Sequence, residues 1–395
     1  MPGFEKFGAA ERKSVSEVLD TGVLMRYGFD PMRKGQWKAQ ELETALAGRM
    51  QVRHAHLVSS GTAALTVALA NVGVGAGDEV ILPTFTFVAS FEAVLALGAV
   101  PVLCDIDDTL TLDPAAVKEA ITPATRVIMP VHMCGSMADL RALKEIADAH
   151  DLILLEDACQ AIGGSYEGKP LGSYGHVGCF SFDYVKTITC GEGGALITDS
   201  DEIYERAQAY SDHGHDHIGS DRGAEGHPHL GFNYRISELN AAVGVAQLAR
   251  LDEFLEIQES HYLHLRNAIA GLPGVSFRRV PEGGVENYSF LNFFLPDEDS
   301  AMKAQKALSE AGFDGVFYWY GNNWHYHRKW EHLKGLKSVT KLPLQLREQF
   351  MSRNTWGHPK SDHWMGRTLS VLIKLGWDQE ELERRAAILR GVLSS

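Results

Sequence analysis

Between about Glu41 and Ser200 the chain alternates short apolar runs with helical stretches, and this alternation restricts the fold more than any other feature. The runs are HAHLVSS, EVILP, VPVLCDI, RVIMPVH, LILLEDA, GCFSFD and GALITD. Each fits a strand buried on both faces, and LTVALANVGV, FEAVLALG and MADLRALKEIADAH fit the helices that cover such strands. The pattern predicts an α/β fold with a mainly parallel sheet between helices. In sheets of this kind ligand-binding groups gather at the carboxyl ends of the strands, so the residues that follow each run are the ones to read for chemistry.

Beyond residue 200 the texture changes. A loop rich in His, Asp and Gly (SDHGHDHIGSDRGAEGHPH) precedes one long helical stretch, SELNAAVGVAQLARLDEFLEIQ. Short strands (VSFRRV, YSFLNFFLP), a helix (SAMKAQKALSEAG), an aromatic-rich loop and a last amphipathic helix (DQEELERRAAILRGVL) then predict a smaller α+β domain. The expected division is a large domain over 1–255 and a smaller one over 256–395, which suits a chain of 395 residues with 45% hydrophobic content. A formal charge of −14 disfavours nucleic acid and anionic membrane as partners. No apolar run has the length to span a bilayer, and the charged opening MPGFEKFGAAERKSV is not a secretory signal. The five cysteines (Cys104, Cys134, Cys159, Cys179 and Cys190) are odd in number and lack CxxC spacing; they are read as reduced thiols of a cytoplasmic protein.

Four short motifs carry the chemistry, and each is weak alone. SSGTAAL (Ser59–Leu65) ends a strand and opens a helix, a place where free amides and a close-approach glycine bind phosphate, or merely an N-cap. LILLEDACQA delivers Glu156 and Asp157 at a strand end, where a carboxylate can pair with a protonated ring nitrogen. FSFDYVKTITCGEGGALITD sets Ser181 and Lys186 before a glycine-rich turn, although most lysines are solvated surface residues. LGFNYRISELNAAVG places Asn233 and Arg235 ahead of a helix that Ser237 can cap.

In this order the motifs resemble the DegT/StrS-type aminotransferases, the sugar-aminotransferase group of the type I (aspartate aminotransferase) fold, and the resemblance runs from TGVLMRYG to the last helix. It implies pyridoxal 5'-phosphate as cofactor and a homodimer with shared active sites. On these residues it implies that Lys186 is the Schiff-base lysine and Asp157 the partner of the pyridine nitrogen. Gln160 matches the position beside the ring oxygen, and Phe87 the aromatic that stacks on the ring. Gly61, Thr62 and Ser181 match the phosphate cup, with Asn233 lent by the second subunit. It also implies L-glutamate as amino donor and transamination rather than dehydration, because the dehydratase branch has histidine in place of the lysine.

For the acceptor, three segments stand out: VIMPVHMCGSMADL with His132, the loop with His213, His215 and His217, and YWYGNNWHYHRKWEHLKG with Trp319, Asn323, His325 and Arg328. Arg367 in SDHWMGRTLS joins them as a basic group suited to a carboxylate. The histidine loop is read as solvated rather than as a metal site. The closing segments look similar to those of enzymes that aminate an oxidised eight-carbon sugar acid, which implies a terminal aldehyde as acceptor. A nucleotide-linked keto-hexose is the alternative, and an aminohydroxybenzoate-type dehydrating synthesis a third.

Overall fold

The computed structural model describes residues 2–394 apart from Ser220 and Pro343. All seven apolar runs form strands of one sheet: β1 (His54–Val58), β2 (Glu79–Pro83), β3 (Val100–Cys104), β4 (Thr125–Ile128), β5 (Ile153–Asp157), β6 (Val177–Ser181) and β7 (Gly194–Thr198). Their order is β1-β7-β6-β5-β4-β2-β3. The strands β3, β2, β4, β5 and β6 run parallel, whereas β7 pairs antiparallel with both β6 and β1. The connection from β6 to β7 contains no helix, so the chain folds back instead of crossing over. That return loop, residues 182–193, is the one that holds Lys186.

Helices cover both faces. Among them are α1 (Ala9–Leu19), α2 (Lys38–Met50), α3 (Gly61–Asn71) and α4 (Val88–Ala96). One apolar cluster packs α3 and α4 on the sheet through Leu65, Leu69, Phe91 and Val94. A second, with Leu42, Leu46 and Phe254, covers the opposite face. The helical stretch read as continuous over 237–258 breaks after Leu248 and restarts at Leu251. At the break Arg250 turns its guanidinium to the Lys6 carbonyl (2.7 Å) and to Glu253 (3.0 Å).

A second, antiparallel sheet is built from Ser276–Phe277, Phe290–Phe294, Val316–Phe317 and Thr368–Leu372, with the third of these at one edge beside the fourth. Helices 251–269, 298–310 and 379–393 enclose its core, where Leu265, Phe293, Leu369 and Leu389 are fully buried. Between the two sheets lies an aromatic cluster that includes Phe85, Phe290, Trp319 and Tyr326. The chain then returns to the first sheet: Trp330, Leu333, Leu336 and Phe350 are buried in its core, although they lie far along the sequence.

Candidate active site

The carboxyl ends of β1, β5 and β6 open onto a cavity of about 380 Å³. Helix α3 begins at its floor. Ser60 caps that helix by accepting the Ala63 amide (3.0 Å), which leaves the amides of Gly61 and Thr62, two cavity-lining residues, without intrahelical partners. Gly61 is required by closeness: a Cβ there would sit 2.7 Å from Ser181 Cβ. Gly194 is pressed on the other side of the same turn, where a Cβ would meet the Ser60 carbonyl at 2.3 Å. The first helical turn and the end of β6 are thus brought as near as backbone allows.

Strand β5 supplies two carboxylates that part company. Successive side chains on a strand point to opposite faces. Asp157 faces the cavity, accepting hydrogen bonds from Ser90 Oγ (2.7 Å) and the Cys159 amide (3.1 Å). Glu156 faces inward and accepts from the amides of Gly172 (2.8 Å), Tyr174 (2.7 Å) and Gly175 (2.7 Å), with His132 Nε2 at 2.9 Å. One carboxylate is available to a ligand and the other fastens the loop after the strand.

Lys186 reaches the cavity from the return loop, and its amine has no hydrogen-bond or ion-pair partner among the described residues. Gln160 also lines the cavity; its Oε1 accepts the Cys134 amide (3.0 Å), so the NH₂ end is the part left free. Phe87 stands at the start of α4, its ring 6.0 Å from that of Trp324 and nearly parallel to it. Segment 324–327 is held there by the backbone, since the amides of Thr86 and Val88 donate to the carbonyls of His325 (3.0 Å) and Trp324 (2.9 Å). Burial and the nearby Lys186 ammonium lower the pKa of His325 to about 3, so its imidazole is neutral.

Of the residues singled out in the sequence, Gly61, Thr62, Phe87, Asp157, Gln160, Ser181, Lys186 and His325 meet in this one cavity. The remaining substrate candidates do not line it. His132 is wholly buried against Glu156, so it serves the loop anchor rather than a ligand. Trp319 is buried behind His325, its Nε1 donating to Ser370 Oγ (2.7 Å). Asn323 and Arg328 are exposed, and Arg328 lies over the Tyr320 ring. Arg367 lies beside the paired rings of Phe294 and Trp364, 5.8 and 5.7 Å from their centroids. His215 is 2.8 Å from Glu225, and Asn233 is exposed on the loop ahead of the helix Glu238–Leu248, where its Oδ1 accepts the Arg235 amide (3.3 Å). Sequence reading passed over Ser90, which holds Asp157. Its signal was modest, a hydroxyl in the first turn of a helix whose other polar residue is Glu92.

The model of the DegT/DnrJ/EryC1/StrS aminotransferase family matches residues 7–361. The chain belongs to this family. It is therefore a pyridoxal-phosphate-dependent aminotransferase, of the sugar-aminotransferase kind. Among its relatives is a GDP-perosamine synthase of Vibrio cholerae, 35% identical over 289 residues that make up 73% of this chain and 75% of the relative. A 3-amino-5-hydroxybenzoate synthase of Amycolatopsis mediterranei is 39% identical over 284 residues, 72% of this chain and 70% of the relative. The solved structure of a 3-amino-5-hydroxybenzoic acid synthase superposes with a TM-score of 0.81 at 31% identity, covering 98% of this chain and 96% of that one.

Proposed function

We propose that this aminotransferase moves the amino group of L-glutamate onto an oxidised sugar, with Lys186 as the lysine that tethers the cofactor. The acceptor in this reading is 3,8-dideoxy-8-oxo-octulosonate, giving 8-amino-3,8-dideoxy-octulosonate for lipopolysaccharide. The observation that carries the reading is the unpartnered Lys186 amine in the same cavity as the buried Asp157 carboxylate.

Bound pyridoxal phosphate supplies an electron sink and an exchangeable carbonyl. The residues present suit it. The free amides of Gly61 and Thr62 and the Ser181 hydroxyl would take the phosphate, in a cradle that a Cβ at residue 61 would fill. Asp157, already oriented by Ser90 and the Cys159 amide, would hold the proton on the ring nitrogen. The NH₂ of Gln160 would donate to the ring oxygen, and Phe87 would cover one ring face. The Lys186 amine would tether the cofactor and, when free, would take a proton from the donor carbon and return it. His325, neutral and in the wall, can exchange hydrogen bonds with an acceptor hydroxyl but offers no charge to a carboxylate. Asn233 is exposed in the single chain, which suits its being lent to a second subunit in a homodimer. All five cysteines are free, as a reducing cytoplasm would keep them.

A second reading is favoured by the relatives: the GDP-perosamine synthase supports a nucleotide-linked keto-hexose as acceptor. The two are separated by loading the enzyme with glutamate and following which acceptor restores the visible absorbance of the lysine-bound cofactor. The octulosonate aldehyde is expected to restore it. If only nucleotide-linked keto-hexoses do so, the second reading replaces the first. Lys186→Ala is expected to abolish that absorbance and turnover together, and a fully active variant would remove Lys186 from its role.

A further inference from the structure

The return loop 182–193 is pinned at its far end, where Thr189 Oγ1 donates to the Phe182 carbonyl (3.1 Å) and the Asn240 side-chain amide donates to the Cys190 carbonyl (2.8 Å). Within it the Lys186 amide donates to the Asp183 carbonyl (3.0 Å) and the Val185 amide to Asp183 Oδ1 (2.9 Å), while Tyr184 and Val185 are exposed. The outer support comes from a distant part of the chain, the 3₁₀ turn Gly3–Lys6. The Gly3 amide donates to the Lys186 carbonyl (2.9 Å), and the Phe4 ring stacks on that of Tyr184 with centroids 4.2 Å apart and planes 5° from parallel. A carboxylate oxygen of Glu5 accepts the Gly376 amide (2.8 Å), which ties the same turn to the chain just beyond the smaller sheet.

Gly3 fits its slot only because it has no side chain. A Cβ there would lie 2.2 Å from Gln247 Oε1 and 2.6 Å from the Thr187 carbonyl, and Gln247 is itself buried and held by Glu11 (2.7 Å). The close approach is what brings the Gly3 amide to the Lys186 carbonyl.

We propose that the turn Gly3–Lys6 is a brace that sets the position of Lys186, with Gly3 and Phe4 as positioning residues. They act through the backbone of the lysine and through Tyr184; neither reaches the cavity. The far end of the loop is already fixed by Asn240 on the Cys190 carbonyl (2.8 Å), and the brace adds an anchor at Tyr184 and Lys186 themselves, so the amine enters the cavity from a backbone held at both ends. This rests on the reading of Lys186 as the cofactor lysine, and the test separates the two.

The test compares Gly3→Val, Phe4→Ala and Phe4→Tyr with the unaltered protein, first without cofactor, by amide hydrogen exchange of peptides covering 183–189 and, as a control, strand 153–157. Loss of one aromatic stack or one amide bond is expected to speed exchange in 183–189 by about tenfold in Gly3→Val and Phe4→Ala. The control strand should keep its protection, and Phe4→Tyr, which retains the ring, should keep the protection of 183–189. With cofactor bound, the first two variants should lose kcat with little change in the KM for glutamate and show an altered visible circular dichroism band. Unchanged exchange in 183–189, an equal rise in strand 153–157, or a Phe4→Tyr as impaired as Phe4→Ala would each overturn the brace. Should Lys186→Ala keep the visible absorbance, the functional reading fails, and the exchange measurement still decides whether the turn braces the loop.

Discussion

Glu156 and Asp157 are adjacent and chemically alike, yet the alternation of a strand gives them opposite duties. Glu156 is fully buried with three amide donors and a histidine on it, so both of its oxygens are hydrogen-bonded. Glu156→Gln places an NH₂ among those donors and is expected to cost about 3 kcal/mol of stability, as breaking a buried charged network does, read as a lowered denaturant midpoint. Asp157 depends on Ser90, the one side-chain hydroxyl that orients it. Ser90→Ala removes a hydrogen bond to a charged group and should weaken cofactor retention or kcat/KM by about tenfold, with the fold intact by circular dichroism. An unchanged kcat/KM would mean that the Cys159 amide alone is enough to orient Asp157.

At the scale of elements, the site is made where α3 starts against the end of β6. Gly61→Ala forces a Cβ into Ser181 and must open that junction. The variant is expected to hold cofactor at least about tenfold more weakly, since the amides and the hydroxyl would no longer converge on one phosphate; equilibrium dialysis measures this. Much of this level was legible beforehand. The seven apolar runs, their burial and the strand-end positions of Asp157 and Ser181 follow from local pattern, because a strand covered on both faces has to be apolar throughout. Three things were not legible. The antiparallel return of β7 depends on the connection it follows, the break at Ala249–Arg250 on a contact with Lys6, and the removal of His132 and Trp319 from the cavity on which neighbours bury them. An aromatic or histidine motif has the same letters whether it faces a ligand or a core.

For the molecule as a whole, Tyr326 in the cluster between the sheets and Trp330 and Phe350 in the first core link the two parts, and His327 beside them carries a titration. The His327 ring is buried with neither nitrogen hydrogen-bonded, and burial, then the charges of His358 and Lys334, lower its pKa to about 3. The ring is neutral in the folded chain, while in the unfolded chain it titrates near about 6.5. Below that value the unfolded state binds the extra proton, so the contribution of His327 is complete above about pH 6.5 and is lost as the pH falls toward 3. The melting temperature should therefore drop between pH 7.5 and 5. His327→Leu should recover up to about 2 kcal/mol of that acid loss, or a few degrees. An identical drop in the variant would show that the acid sensitivity lies elsewhere. The sequence by itself determined the α/β core, the family and, among the cavity residues, Asp157, Ser181 and Lys186, because these are written in local periodicity and in motifs whose members sit at or beside strand ends. The tertiary structure alone decided which of the late aromatic and basic residues face the site, and that Trp330 and Phe350 return to the first core. It alone also decided that a turn at residues 3–6 supports the lysine loop. Those outcomes depend on contacts between segments far apart in the chain, where the free energy of burial depends on the surface met and not on the residue that meets it.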